Sequence, residues 1–316
     1  MATDTTGVER APREHAAGRT EAVPLRARTW QREGLVAAAF LAPSAIVLLV
    51  LRLYPTVEAL IASAQRQPLN ILAAPVFVGL DNYRTLLVES PTFWPSVAAT
   101  VIFVTIVVVA QTVGALALGL LYTQHMYATR WWRALVFLPI TIPMAVSTLV
   151  WQIAFRNDGV VNGFLSALGL GQYNYFATRG LAYFAFLTIL SWIGLGYWMA
   201  LLIAGLADVP TEVRDAAKVD GAGAIRTFFS IVLPLLKRPL AFVAVALTVT
   251  NFFTFIPEAV ITQGGPRDAT RFLMFEIYTE AYSNGNTNRA SAEIVLLAII
   301  ILAIVAVEFK LIAPED

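Results

Sequence analysis

Polar and aromatic side chains interrupt a long apolar stretch near residue 250. Thr248, Asn251, Phe255 and Glu258 recur at intervals of three or four residues, so on a continuous helix they would share one face. That face would carry a hydroxyl, an amide, an aromatic ring and a carboxylate. Aromatic rings can stack on C–H surfaces, while amides and carboxylates bind hydroxyl groups. The spacing therefore predicts a binding face for a hydroxyl-rich solute, and for each single residue the alternative is ordinary helix packing.

The preceding apolar stretch carries a similar cluster of aromatic and small residues. Its members are Ser191, Trp192, Gly194, Gly196, Tyr197 and Trp198. Trp192 and Tyr197 are the candidates here for contact with the same solute. Polar groups are costly in lipid, so they often mark a translocation path, although aromatic residues also mark the membrane interface.

Composition places the chain among helical membrane proteins. Its 316 residues are 58% hydrophobic and 14% charged, whereas soluble domains carry about 25% charged residues. Apolar runs of the length needed to cross a bilayer recur along the chain, which predicts an all-α, multi-pass protein. Cysteine is absent, which excludes disulfides, thiolate metal sites and cysteine catalysis.

The hydropathy pattern predicts six spans, at about 35–63, 93–122, 132–154, 181–206, 240–261 and 294–311. The permease domain formed by these spans is predicted to cover 35–312. The polar segment 1–34 contains six arginines and no apolar run, so we predict a disordered cytoplasmic tail and no signal peptide. Residues 313–316 form a short second tail, and 207–238 form a loop between the fourth and fifth spans.

The basic residues predict the orientation in the membrane. With an even number of spans both termini lie on one side, and that side, which includes loop 207–238, holds 14 of the 22 Lys and Arg residues. The positive-inside rule therefore places both termini and this loop in the cytoplasm.

Within this loop, the stretch Glu212–Pro234 reads EVRDAAKVDGAGAIRTFFSIVLP and forms a charged island between two apolar spans. Asp215 and Lys218 are spaced for an i,i+3 ion pair on a helix. Gly221 is expected to end that helix, and Pro234 to end the apolar run that follows. The stretch therefore predicts two short helices joined at a glycine corner.

The spacing in this island is similar to a motif of ABC importer permeases. Asp215-Ala216-Ala217, three residues, Gly221, nine residues, then Ile231-x-Leu233-Pro234 resembles the EAA-x3-G-x9-I-x-LP loop of that family, most closely its sugar-importer subfamily. Asp215 replaces the usual Glu, which keeps the charge on a shorter side chain. Three weaker resemblances lie elsewhere: the stretch 77–83 (FVGLDNY), the Leu138-Pro139…Trp151 segment and the turn 262–266 (TQGGP).

The resemblance implies a type I ABC importer permease fold in the cell membrane. In that family the loop couples the permease to an ATPase. The resemblance therefore implies a coupling role for Glu212, Asp215, Ala216, Ala217, Gly221, Ile231, Leu233 and Pro234. The implied partners are a second, homologous permease subunit in a heterodimer, two copies of an ABC ATPase subunit, and an extracytoplasmic sugar-binding protein or lipoprotein. The spans are also expected to contact membrane lipid.

The resemblance also implies that the fourth and fifth spans line the sugar path. One departure bears on this assignment: the family often has Phe-Asp where this chain has Phe255-Ile256, so a carboxylate could be supplied by Glu258 instead. Neither span carries Lys or Arg along its proposed path face, which predicts a neutral cargo, a disaccharide or oligosaccharide.

The sequence gives little support for catalysis. It contains no G-x4-G-K-[ST] motif and only three lysines, so the chain has no P-loop of its own for ATP. We therefore predict a permease that is not an enzyme, with no cofactor, no metal site and no nucleic-acid partner. Two alternatives remain open: a secondary transporter driven by an ion gradient, for which Glu258 is the nearest carboxylate, and a membrane enzyme of lipid or polymer synthesis, which would need clustered Asp, Glu or His.

Overall fold

The structure, a computed structural model, describes residues 27–68, 73–124 and 129–312. The predicted tail 313–316 and most of the predicted tail 1–34 lie outside these ranges. Helix α1 begins at Ala27, inside the segment predicted as a tail, since a helix can extend through polar residues beyond its apolar span. The chain divides into two units after Thr56, and α1 belongs to the first.

The α-helices follow in chain order as α1 (Ala27–Leu48), α2 (Tyr54–Ser63), α3 (Asp81–Arg84), α4 (Phe93–Gln124), α5 (Thr129–Phe137), α6 (Met144–Ala154), α7 (Val160–Ala167), α8 (Arg179–Ala207), α9 (Thr211–Val219), α10 (Ala224–Thr227), α11 (Leu233–Leu235), α12 (Lys237–Phe252), α13 (Leu273–Tyr278) and α14 (Thr287–Ile312). Wider π-helical turns occupy Leu49–Leu53, Thr85–Glu89, Phe228–Val232, Glu258–Thr262 and Thr279–Ser283, and a 3₁₀ turn occupies Leu138–Thr141. The strands β1 (Gln65–Arg66) and β2 (Val76–Phe77) form a short antiparallel pair.

The all-α prediction is confirmed. Within the described residues, four stretches are long and apolar enough to cross a membrane: Val36–Ser63, Phe93–Tyr122, Arg179–Ala207 and Thr287–Leu311. Two bent helix pairs raise the number to six if each is one span. The first pair coincides with the predicted third span. The second pair, Ala224–Leu235 with Lys237–Phe252, overlaps the predicted fifth span and extends into the loop before it.

The third span is broken at a pair of prolines. Residues Ala134–Thr141 and Met144–Ala154 meet at an angle of 107°. Ile142 between them is extended (φ −88°, ψ 128°), as expected for a residue that precedes proline. Pro143 and Pro139 each lack an N–H, so neither can continue the helical ladder across the break.

The fifth span is shorter than predicted. Helix α12 ends at Phe252 instead of continuing to residue 261, and a π-helical turn follows at Glu258–Thr262. Pro257 explains the break, because it cannot donate a hydrogen bond to the carbonyl of residue 253 and its ring would clash with that carbonyl. At its other end α12 bends by 69° from the helical segment Ala224–Leu235.

The sixth span begins earlier than predicted, at Thr287 instead of residue 294. Its first turns are polar but largely buried: Asn288 donates to the carbonyl of Ala62 at 3.0 Å, and Arg289 lies 3.5 Å from Glu280. Tertiary partners therefore carry the helix through residues that hydropathy alone assigns to a loop.

The core of the second unit is built on apolar helices that pack side by side. Helix α4 lies along α8, and α12 packs against both α4 and α14. Phe103 of α4 stacks on Phe272 with ring centroids 4.7 Å apart. Gly196 of α8 lies so close to the backbone of Val136 that a Cβ would collide with it. This close approach positions α8 against the broken third span.

Candidate translocation cavity and coupling loop

A cavity of about 500 Å³ lies where α8, α12 and the break in the third span meet. The segment after Phe252 and one side of α4 complete its wall. Most of the lining is aliphatic or aromatic, and the polar or amphipathic groups in it are Gln111, Tyr197, Trp198, Thr250, Asn251 and Thr254. No Lys, Arg, Asp or Glu among the described residues lines the cavity.

Three of the six residues predicted for the path line this cavity: Tyr197, Asn251 and Phe255. Asn251 is buried in the last turn of α12, and its Nδ2 donates to the carbonyl of Leu247 at 2.8 Å. Phe255 follows the helix end and stacks on Tyr278 with centroids 5.5 Å apart. The cavity therefore brings together an amide, a phenol and an aromatic ring from two spans.

The other three predicted residues lie away from the cavity lining. Thr248 is buried and donates to Glu308 of α14 at 2.6 Å. Trp192 packs edge-on against Trp151, with centroids 6.0 Å apart. Glu258 is fully buried, and neither of its carboxylate oxygens has a hydrogen-bond partner in the described part of the chain.

The end of α12 explains why the predicted face is divided. The assignment assumed one helix through residue 261, on which residues 248, 251, 255 and 258 would align. Because the helix ends at Phe252, the last two positions no longer follow the 3.6-residue period. Thr248, which remains on α12, faces α14 instead.

Gln111 and Met144 are among the cavity residues that sequence reasoning did not single out. Gln111 is 2% exposed and is the amide of an otherwise apolar stretch of α4. That isolated amide within a predicted span was the available signal. Met144 follows the proline break, and nothing in its local sequence indicates that it turns toward the cavity.

The cavity chemistry suits binding without bond-making. Amide and hydroxyl groups can exchange hydrogen bonds with solute hydroxyls, and the rings of Tyr197, Trp198 and Phe255 offer flat apolar faces. In a low-dielectric site an anionic group would need a cationic partner. Among the described residues, no three His, Asp or Glu side chains are grouped to hold a metal ion.

Loop 207–238 forms the predicted glycine corner. Helix α9 ends in a Schellman motif, in which the N–H of Ala222 donates to Ala217 at 2.9 Å and the N–H of Gly221 donates to Lys218 at 3.0 Å. Gly221 has φ +76°, a left-handed conformation that favours glycine. Helix α10 then begins after Gly223, so two short helices meet at this corner.

The residues predicted for coupling differ in where they face. Asp215 and Lys218 form the predicted i,i+3 pair at 2.9 Å, with both side chains largely exposed. Ala216 is exposed, but Ala217 is only 5% exposed and packs within the chain, so the two alanines do not form one outer surface. Of the others, Glu212, Gly221 and Pro234 are exposed, whereas Ile231 and Leu233 are partly buried.

The two most exposed large apolar side chains on this loop were not singled out from the sequence. Val219 is 88% exposed at the end of α9, and Ile225 is 77% exposed on α10. They lie on either side of the Gly221 corner in the chain. Exposed apolar side chains on both sides of the corner are compatible with a surface that a protein partner covers.

Near the start of α14, polar contacts hold the turn 262–273. The hydroxyls of Thr262 and Thr270 are 2.7 Å apart. Arg271 donates to Glu276 at 2.7 Å, and this hydrogen bond raises the pKa of the Arg271 guanidinium, which keeps it charged. The hydroxyl of Thr100 on α4 accepts from the N–H of Leu273 at 2.7 Å. These bonds fix the segment that follows the cavity wall.

Comparison with known families gives one match over most of the chain. Residues 115–313 match the family described as the binding-protein-dependent transport system inner membrane component. This range contains the loop with Gly221 and nearly all of the cavity lining, Gln111 excepted.

Several curated proteins are similar along most of their length. The sulfoquinovosyl glycerol transport system permease protein SmoG of Agrobacterium fabrum is 30% identical over 89% of this chain and 92% of its own. The sn-glycerol-3-phosphate transport system permease protein UgpA of Escherichia coli is 30% identical over 85% of this chain and 91% of its own. The probable ABC transporter permease protein YesP of Bacillus subtilis is 29% identical over 90% of this chain and 93% of its own.

A solved structure shares the fold. A chain of a bacterial ABC transporter that imports the acidic polysaccharide alginate superimposes with a TM-score of 0.73 at 19% identity, over 90% of this chain and 98% of the other. At that identity the likeness concerns architecture alone.

Proposed function

Because the chain belongs to the family of binding-protein-dependent transport inner membrane components, and is thus a multi-pass permease of an ABC importer, we propose that it forms half of the translocation pathway for a sugar. The observation that carries the proposal is the cavity lined by Tyr197, Asn251 and Phe255. The other half would come from a second, homologous permease in a heterodimer. Two ABC ATPase subunits and an extracytoplasmic sugar-binding protein or lipoprotein would complete the complex.

The cargo proposed is a neutral disaccharide or oligosaccharide. The similar permeases SmoG and UgpA are named for sulfoquinovosyl glycerol and sn-glycerol-3-phosphate, both of which are anionic. The cavity of this chain offers amides, hydroxyls and rings but no cationic side chain among the described residues. This lining supports an uncharged sugar, because a buried phosphate or sulfonate without a cation is strongly disfavoured.

Transport would proceed by alternating access. ATP-driven closure of the ATPase subunits would displace the loop that contains Asp215, Ala216 and Gly221, and the spans would follow because Leu236 and Val232 pack into the base of α8 and α12. The exposed side chains of Val219 and Ile225 are suited to the contact with the ATPase. The permease itself would bind and orient the cargo without chemical change.

Reconstitution tests this function. The full complex, with its second permease, ATPase and binding protein, is placed in proteoliposomes, and uptake of labelled neutral disaccharides is compared with that of sugar phosphates. We expect uptake of a neutral sugar that requires both internal ATP and the binding protein. Uptake that instead depends on an ion gradient would support the secondary transporter, and preference for a sugar phosphate would exclude the neutral cargo.

A further inference from the structure

A second cavity, distinct from the translocation cavity, lies beneath loop 207–238. We call it the loop cavity; its volume is about 290 Å³. It is bounded by the ends of α4 and α8 on one side and by α9, α10 and the following π turn on the other. This volume lies just under the lower end of the range for small-molecule sites, about 300 Å³, which suits a group as small as a phosphate.

Two cationic side chains, Arg214 and Lys218, line the loop cavity. The Nη2 of Arg214 donates to the carbonyl of Leu206 at 3.0 Å, which anchors the guanidinium beside the end of α8. Its Nε is buried and has no hydrogen-bond partner within the described ranges. A buried, unsatisfied donor on a permanently charged group is costly unless something fills the space beside it.

No described carboxylate forms an ion pair with Arg214, and Asp215 is committed to Lys218 at 2.9 Å. Arg214 therefore presents a positive charge to the loop cavity that no described carboxylate offsets, whereas the charge of Lys218 is partly offset by Asp215. Guanidinium groups bind phosphate particularly well, since two of their N–H groups match two phosphate oxygens. An anion with phosphate geometry fits this donor arrangement.

The remaining walls identify the source of that phosphate. Leu206, Phe228 and Val232 are apolar, and the helix ends that frame the cavity lie on the side that the basic residues assign to the cytoplasm. Apolar walls below cationic groups, at the depth where spans leave the bilayer, match a lipid with a charged headgroup. A free anion would gain nothing from the apolar wall.

We propose that the loop cavity binds the phosphate of an anionic phospholipid of the cytoplasmic leaflet, with Arg214 as its main ligand and Lys218 as a second cation. The lipid would fill the space between the coupling loop and the spans and connect the two. The exposed outer side chains Val219 and Ile225 would stay available to the ATPase. This site is additional to the proposed transport function and does not depend on it.

The test measures lipid retention by the full-length chain. The purified chain is equilibrated with mixed micelles of phosphatidylglycerol and phosphatidylcholine, and bound lipid is counted by native mass spectrometry. Three variants are compared with the parent. Arg214→Leu removes the main ligand, Ala224→Met fills the loop cavity without a change of charge, and Arg226→Leu removes an exposed cation of α10 that does not line it.

We expect the parent to retain phosphatidylglycerol in preference to phosphatidylcholine. Arg214→Leu should weaken this retention by about ten-fold, the loss typical of a charge-assisted hydrogen bond. Ala224→Met should weaken it similarly, and because it keeps Arg214 in place it decides the matter if Arg214→Leu does not fold. Arg226→Leu should retain lipid as the parent does.

Three results would overturn the proposal. Equal retention in all four proteins would show that the loop cavity holds no lipid. Displacement of the lipid by excess inorganic phosphate would identify a free-phosphate site. Lipid retention that persists in Arg214→Leu, together with lost binding of the ATPase subunit, would assign Arg214 to an acidic group on that protein. Lipid retention is measured without ATP, binding protein or cargo. A negative result would therefore refute the lipid site and leave the proposed transport function untouched.

Discussion

Thr248 of α12 donates a 2.6 Å hydrogen bond to the Oε1 atom of Glu308 on α14. Thr248 is 1% exposed, and the other carboxylate oxygen of Glu308 is buried with no partner in the described part of the chain. The threonine hydroxyl is therefore the main stabilising contact of a carboxylate held between two spans. A residue predicted to contact cargo instead joins two helices.

Thr248→Val should destabilise the folded permease without a direct effect on cargo binding. The change leaves Glu308 unpaired in a buried site, and a lost partner of this kind costs about 1–3 kcal/mol. Thermal unfolding in detergent measures the effect, and uptake per folded complex should stay near that of the parent.

Thr112→Val is the matched control, since the Thr112 hydroxyl is buried and already lacks a partner within the described residues. This variant should be neutral or slightly more stable. Equal destabilisation by both substitutions would mean that the bond to Glu308 contributes nothing.

Asn251→Ala and Phe255→Ala should each reduce transport while leaving assembly and basal ATPase activity close to those of the parent. Asn251 supplies an amide to the cavity wall and Phe255 a ring, so each loss removes a contact with the sugar. Loss of one polar contact of about 1.4 kcal/mol corresponds to about a ten-fold weaker apparent affinity. The measurement is the concentration dependence of uptake in proteoliposomes.

Phe40→Ala serves as the control for this pair, because Phe40 is an 82% exposed aromatic residue outside the cavity. Its uptake curve should match the parent curve. If both cavity variants also transport as the parent does, the path does not follow this wall.

Gly221→Asp should disrupt coupling while the spans remain inserted. Beyond its two chain neighbours, no described residue has a heavy atom within 4 Å of the position that a Cβ on Gly221 would take, so a side chain would fit there. The expected defect comes instead from φ +76°, a backbone conformation that is unfavourable for a residue with a Cβ. The Schellman corner would shift, and with it the surfaces on α9 and α10. Binding-protein-stimulated ATPase activity and transport are the measurements, and both should fall or become uncoupled.

Gly223→Asp provides a closely matched comparison. Gly223 also has open space around it, but its φ is −68°, and it occupies the N-cap of α10, where Asp is favourable. This variant should couple nearly normally. Parent-like coupling in Gly221→Asp would refute the role of the corner.

Asp215→Lys should impair coupling more weakly than Gly221→Asp does. The pair with Lys218 is exposed, and such pairs contribute about 1 kcal/mol or less. The double change Asp215→Lys with Lys218→Asp restores an ion pair within α9 but reverses the sign of the exposed charge at each of the two positions.

Stimulated ATPase activity of the single and double variants separates two roles for Asp215. If the double variant recovers, Asp215 acts within its own helix. If it stays impaired, Asp215 meets a cationic group on the ATPase, as the proposed coupling function requires. Full activity in both variants would remove Asp215 from coupling altogether.

Local features of this chain could be predicted from the sequence because they depend on near neighbours. Apolar length identified the spans, since a helix that crosses lipid must satisfy its backbone internally and present apolar side chains. The corner at Gly221 could also be predicted, because a Schellman motif is closed by backbone hydrogen bonds among residues 217–222. The i,i+3 pair of Asp215 and Lys218 follows from helix geometry alone.

The composition of the cavity was decided by tertiary structure. Helical periodicity holds only while a helix continues, and the break after Phe252 separated Asn251 from the later positions expected beside it. Thr248 and Tyr197 look alike as polar residues in apolar spans, but packing against α14 buries the first, and the 107° bend in the third span opens space beside the second. Gln111 joins the cavity across a large sequence distance, which local spacing cannot reveal, because contacts between spans depend on how whole helices pack.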